Sequence, residues 1–412
     1  MTPIATDRRH DLDALRIFAC YLLFLFHVGM VFNPAPFYHV RNDEVSLVFL
    51  ILCGFIGLWH MPLFFLLAGW SAAGALRTRG VGAFLRERGS KLAIPLIAGC
   101  WLLAPGIKYL ELRSGFDLNH RGLWVSEELQ QSFRSVLPIE LPRAEPFDES
   151  FVEFLPSFFS KLDRFTWSHL WFLAYLLALT LVLLPVFVWL IRRRKEITNP
   201  SGLWIYLPIL PLAGIQLGLR ERFPGPYNLY NDWASVSFFA TFLVAGFLLA
   251  LHPALEDRIR QEWRRALGVG LAATAGLLAA VLGLFQSTPL VLVGTAIAGW
   301  CFVLALMGFA RARITRAGSR FRYLRESAFP IFLLHQPVIV FLGYAVVQLS
   351  LGIAAKFSLL LVGSVALTLA LYHFAVRPFG PVRFLAGMKP DGRGVSRLPS
   401  QPSQGAPALE RA

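Results

Sequence analysis

Charge is scarce in this chain of 412 residues: Asp, Glu, Lys and Arg make up 16% of it, where a soluble domain carries about a quarter. Hydrophobic residues fill 56% of the positions, which points away from a soluble domain and toward a membrane protein. Cysteine is scarcer still. Cys20, Cys53, Cys100 and Cys301 all lie inside apolar stretches at no ligand-like spacing, so packed small hydrophobes are a better reading than disulfides or a metal site. The sequence also lacks an internal repeat, a Walker loop, a dinucleotide fingerprint and a metalloprotease motif. The formal net charge is +14, yet the basic residues fall between apolar runs, which makes them a topology signal and not a nucleic-acid footprint. Arg8 and Arg9 precede the first run, but Arg16 lies within it and no small-residue cleavage site follows, so it reads as a retained span.

What the chain has instead is long apolar runs, with 36 Phe and 11 Trp suited to lipid-facing and interfacial surfaces. Runs long enough to span a bilayer lie at 13–33, 60–76, 92–107, 168–191, 203–219, 232–251, 267–286, 289–310, 326–347 and 357–377. They predict an all-α integral membrane protein, a polytopic bundle of about ten transmembrane helices. Residues 45–59 are apolar too and continuous with the second run. Pro62 predicts a kink or break near His60 and Met61, which makes 45–59 an interfacial or re-entrant helix, with an eleventh span as the alternative. Basic residues decide between the two. With both termini cytoplasmic, 28 of the 39 Lys and Arg fall on the inside of ten spans, and 11 fall outside. An eleventh span would put the later basic clusters outside. The residues predict a membrane domain over 1–387 with an extracytoplasmic loop at 108–167, then a Pro-, Gly- and Ser-rich tail, 388–412, expected to be disordered. At the outer ends, Asn228, Asn231, Asp232 and Trp233 read as loop and helix-cap residues.

The first run holds two residues that such runs normally exclude, Arg16 and His27. Eleven positions on a helix turn through ~1100° and rise ~16 Å, so the two share a face, one near a membrane surface and one beyond the midplane. Ionisable residues inside a membrane are functional-site candidates. Imidazole can take a proton from a hydroxyl at neutral pH, which makes His27 a candidate general base; a packed histidine bonded to a carbonyl is the bland alternative. Asp13, one turn before Arg16, can pair with it. Between the second and third spans lie Arg77, Arg79, Arg86, Arg88 and Lys91, where topology alone places some cations. Arg88 and Lys91 share a face and could clamp a phosphate. His335, ~13 Å into its span with Glu326 at the entrance, suggests a polar cavity together with His27. His169 reads as lying at the outer mouth of the fourth span. Beside it, Trp167 and Trp171 could be an aromatic belt or a sugar-stacking surface.

These stretches resemble a known family. LDALRIFACYLLFLFHVGM resembles the opening helix of the membrane acyltransferase 3 family, whose signature is a basic residue, ten others, then His. WHMPLFFLLAGW followed by FLRERGSKLAIPL is similar to its second and third spans, with Lys91 in the last place of a basic RxxR motif; SHLWFLAYLL and SAFPIFLLHQPVIV match as well. Lysine keeps the charge there but loses the bidentate fork. Loop sizes, MPLFF and the closing RPFGPVRFLAGMKP look most like a branch associated with succinylation of osmoregulated periplasmic glucans.

The resemblance implies a multi-pass inner-membrane O-acyltransferase. It would move an acyl group from a cytoplasmic acyl-CoA, succinyl-CoA or acetyl-CoA, to a hydroxyl of an extracytoplasmic glycan, without a metal. His27 would then be the catalytic base with His335 beside it. Arg16, Arg86, Arg88 and Lys91 would hold the donor, and His169 and Trp171 the acceptor. A transporter using the same polar residues as a pathway is the alternative, though no clear inverted repeat supports it.

Overall fold

A backbone inside a bilayer has to satisfy its own hydrogen bonds, and a helix does so within one segment. Each of the ten runs centres on helical structure in the computed structural model, which describes residues 9–35, 38–115, 117–118, 147–223, 225, 227–314 and 318–389. In chain order the elements are α1 (His10–Val31), α2 (Leu47–Arg88), a π-helical turn Gly89–Ala93, α3 (Ile94–Leu102), α4 (Ala104–Arg113) and α5 (Phe151–Ser160). A 3₁₀ turn Ser168–Leu170 leads into α6 (Trp171–Val182) and α7 (Leu184–Arg192), and a second one, Gly202–Tyr206, precedes α8 (Ile209–Leu219). Then come α9 (Trp233–Leu251), α10 (Pro253–Val281), α11 (Thr288–Arg313), α12 (Ser319–Val346), α13 (Ile353–Leu371), a π-helical turn Tyr372–Val376 and α14 (Gly380–Leu385). Among the described residues there is no strand. Trp124, Glu127, Glu128 and Glu145 of the long loop, and the tail from residue 390, lie outside the described residues.

Eight helices among the described residues are long and apolar enough to cross a membrane, or nine if α6 and α7, bent by 51°, form one span. One of the eight is Leu47–Arg113, whose 67 residues are far too long for a single crossing. The break comes at Gly80, at φ 75° and ψ 174°, between the second and third runs. This backbone conformation requires glycine.

The expected break near His60 and Met61 does not occur. α2 runs unbroken through Pro62, and residues 47–59 form the beginning of it. Proline at 62 removes the bond to the Leu58 carbonyl. The freed oxygen is covered by α11, which comes so close that a Cβ on Gly299 would lie 2.6 Å from it. A neighbouring helix thus compensates for what the proline takes away.

α1 is the central helix, with Phe24, Val28 and Val31 packed among Ile331, Ile339 and Val340 of α12 and Leu360 of α13. Asp11 and Asp13 lie in its first turn, where the helix dipole favours a negative charge. Asp232 caps α9 as expected, its carboxylate accepting the Ser235 backbone N–H at 3.3 Å. The bundle therefore brings α1, the middle of α12 and the start of α6 against one another.

Candidate active site

At one end of the bundle lies a cavity of about 950 Å³, within the size range of ligand pockets. Arg16, Arg88 and Lys91 line it, together with Arg322, Arg325, Arg377, Arg383 and Lys389; Glu326 is the one lining carboxylate among the described residues. Both π-helical turns lie here: Lys91 is within the first, and Arg377 directly follows the second. Gly387, at φ 67°, lets the chain after α14 close the wall; a Cβ there would lie 2.8 Å from Phe329 and 3.3 Å from the Lys91 carbonyl.

The cations are held in different ways. Arg16 donates to Asp13 at 2.9 Å and to Ser71 at 2.5 Å, so the predicted helix-end pair forms. Lys91 donates to Glu87 at 2.6 Å, and Glu87 also accepts from Arg79 at 2.5 Å. Burial pushes the Glu87 carboxyl up, but the Lys91 and Arg79 contacts outweigh it and hold it below the usual carboxylate range. Arg88 stacks over Phe84 at 4.9 Å, and among the described residues its buried Nε has no hydrogen-bond partner. A buried guanidinium nitrogen without an acceptor, in a cavity with surplus positive charge, suits an anionic group. Arg86 is exposed and does not line the cavity.

Inward from the cations the lining turns apolar, with Ile17, Cys20, Phe64, Phe172 and Phe332. Three histidines stand behind it. The Phe332 ring lies 5.7 Å from His169 and 6.0 Å from His335, and His335 touches both His169 at 5.2 Å and His27 at 5.0 Å. The sequence places His169 at the mouth of a span. The 3₁₀ turn instead sets it against the middle of α12, where its Nε2 donates to the Leu333 carbonyl at 3.1 Å. His335 donates from Nδ1 to the Phe332 carbonyl at 2.7 Å.

Those two bonds assign the protons: His335 keeps a bare Nε2 and His169 a bare Nδ1. Both bare nitrogens, and Nδ1 of His27, are buried without a partner among the described residues. Such groups suit a hydroxyl that arrives with its proton. His27 packs in this cluster and does not line the cavity, so of the two residues on one face of α1 Arg16 reaches the cavity and His27 the histidines behind it. Trp171 stacks on Tyr227 at 4.2 Å and packs on Phe239, away from both.

A buried network missing from the sequence reading adjoins the histidines. Glu111 accepts from Lys108 at 2.5 Å and from His39 Nδ1; His39 Nε2 lies 3.0 Å from Ser168 Oγ, and Gln336 donates to the same Oγ at 3.0 Å. Lys108 and Glu111, one turn apart on α4, are 0% and 1% exposed. That spacing was the available sign of it. The basic clusters at 322–325 and 377–389 are visible in the sequence as well, but there they read only as topology signals.

The described residues thus form an all-α polytopic bundle in which a cation-lined cavity ends against a cluster of histidines. A sequence model of the acyltransferase 3 family, described as an acyltransferase domain, matches residues 9–373. The chain belongs to that family and is a multi-pass membrane acyltransferase. It is also similar to proteins named Glucans biosynthesis protein C from Salmonella schwarzengrund, Salmonella paratyphi A and Salmonella agona. Each is 22% identical, over 96% of this chain and 99% of the relative. No solved structure matches the chain.

Proposed function

We propose that the protein transfers an acyl group from acyl-CoA at the cytoplasmic face of the inner membrane to a hydroxyl of an extracytoplasmic glycan. The carrying observation is where the cationic cavity ends: it is lined there by Phe332, which packs on His169 and His335, and these two and the adjoining His27 each hold a buried nitrogen without a partner among the described residues. Arg16, Arg88 and Lys91, with the further cations around them, would hold the phosphates of coenzyme A. The apolar shaft would take its pantetheine arm. His27 would receive the proton of the acceptor hydroxyl as its oxygen attacks the thioester carbonyl, and the thiol would leave with a proton. His335 and His169, neutral and fixed by backbone carbonyls, would keep the site polar in an apolar bundle.

The relatives' printed name supports a glucan as acceptor, and the bias of basic residues supports the cationic end as cytoplasmic. Succinyl-CoA and acetyl-CoA both fit this chemistry. Mass spectrometry of envelope glycans with and without the protein identifies the group from the mass difference.

The test of the reading is His27→Ala. The variant inserts and accumulates like the parent, while glycan acylation falls by at least the ~10²–10⁴-fold that a general base contributes. Full acylation by a well-accumulated His27→Ala protein would remove His27 from the mechanism. Labelled acyl-CoA offered to sealed inverted vesicles tests transfer itself: a covalently labelled glycan supports it, whereas counterflow of intact substrate marks a transporter.

A further inference from the structure

The network beside the histidines has more structure than a buried ion pair needs. Glu111, between Lys108 at 2.5 Å and the Leu118 backbone N–H at 2.8 Å, is held as a carboxylate acceptor. His39 therefore donates to it from Nδ1 and presents a bare Nε2 to Ser168, 3.0 Å away. A bare Nε2 can only accept, so Ser168 Oγ–H donates to that nitrogen, while the Gln336 amide donates to the serine oxygen at 3.0 Å. Carboxylate, imidazole and serine thus stand in one line of hydrogen bonds, in the order that activates a nucleophile.

Two further features single out Ser168. Its φ is +46°, a conformation that is unfavourable for a non-glycine residue and persists where surrounding structure holds it. The strain places the hydroxyl toward His39 and Gln336 at the start of the 3₁₀ turn. The serine also lies close to the cavity: the next residue, His169, packs on Phe332, which lines the inner end. Gln336 follows His335 on α12, so the serine lies level with the histidine cluster.

We infer that Ser168 carries the acyl group as an ester between donor and acceptor, with His39 as its base and Glu111 as the residue that positions His39. The inference rests on the acyl transfer proposed above and adds a covalent step to it. In the first half-reaction Ser168 Oγ attacks the thioester carbonyl as its proton passes to His39 Nε2. The carbon–sulfur bond breaks, and the thiolate takes that proton to leave as free coenzyme A. In the second, the acceptor oxygen attacks the ester carbonyl and gives its proton to His27. The carbon–Oγ bond breaks, and the proton that His27 received is passed on to the Ser168 oxygen, so that every group ends as it began.

The experiment uses the full chain in lipid nanodiscs with acetyl-CoA and succinyl-CoA as probes, first without a glycan and then with periplasmic glucan added as acceptor. Peptide mass spectrometry is expected to find one acyl increment on Ser168 in the parent. Ser168→Ala loses the increment and the glycan acylation together, and Ser168→Cys carries a hydroxylamine-sensitive thioester, which excludes misfolding as the cause. His27→Ala still acquires the Ser168 ester but does not pass it on. Glu111→Gln slows ester formation by about 10²-fold or more at an unchanged half-saturating donor concentration, a readout that a packing role would not produce. Glycan acylation within twofold of the parent in Ser168→Ala, with no ester in the parent, overturns the serine step and leaves the transfer reading intact. If the parent neither takes up nor transfers the acyl group, both fall.

Discussion

Arg88 and Arg86 stand two positions apart, and the structure separates them completely. Arg88 turns into the cavity, packs on Phe84 and keeps a buried Nε without an acceptor among the described residues; Arg86 is exposed. A hydrogen bond to a charged group is worth about 1.5–3 kcal/mol, or roughly 10–100-fold in affinity. Arg88→Ala is therefore expected to raise the donor concentration for half-maximal rate by at least about tenfold, with Arg86→Ala within about twofold of the parent. Equal effects in steady-state kinetics would refute the distinction. Sequence spacing could place Arg88 and Lys91 on one face, but it could not say which neighbouring arginine turned inward. Nor could it show the Ser168 network, because His39, Glu111, Ser168 and Gln336 are spread over more than 290 residues of chain and meet only through packing. His27 and His335 were legible because an imidazole in an apolar run is anomalous wherever it packs. Ser168 is an ordinary residue in such a stretch and gave no warning.

At the level of helices, the apolar runs were readable and their breaks were not. A run shows where a backbone is buried, whereas a break depends on what a neighbour supplies. Pro62 is tolerated because α11 covers the carbonyl it frees, while the real break falls at Gly80, a glycine among arginines with no proline near it. The same close approach holds the bundle together where α2 crosses α9. A Cβ on Gly69 would lie 1.9 Å from the Leu243 carbonyl, and one on Gly246 would lie 1.9 Å from the Leu66 carbonyl. Backbone packing of this kind replaces the hydrophobic drive that helices lack among lipid tails. Even Gly246→Ala must push two helix backbones apart, so it is expected to destabilise the bundle by about 1–3 kcal/mol or more. Gly74→Ala, on α2 with nothing within 4 Å of its Cβ, is the control and is expected to be neutral or slightly stabilising. Thermal unfolding in detergent measures both, and equal midpoints would show that the α2–α9 crossing relaxes freely.

Across the whole molecule, the proposed reaction needs direction. The donor's phosphates belong at the cationic mouth and the acceptor must arrive from the opposite side, past His39 and the α4–α5 region. The 28-to-11 distribution of basic residues predicts that the mouth faces the cytoplasm. The cysteines make this directly measurable, because all four are buried and give a low background to a membrane-impermeant thiol reagent. Val81, beside the Gly80 break at the cavity end, is 42% exposed, and Leu162, just beyond α5, is 92% exposed. In sealed right-side-out vesicles Leu162→Cys is expected to react at once, while Val81→Cys reacts only after the membrane is opened; inverted vesicles reverse the order. Reaction of both from one side would place cavity mouth and α5 together and deny the bundle a crossing path. The opposite order would point the cationic mouth away from the cytoplasm, where coenzyme A could not reach it.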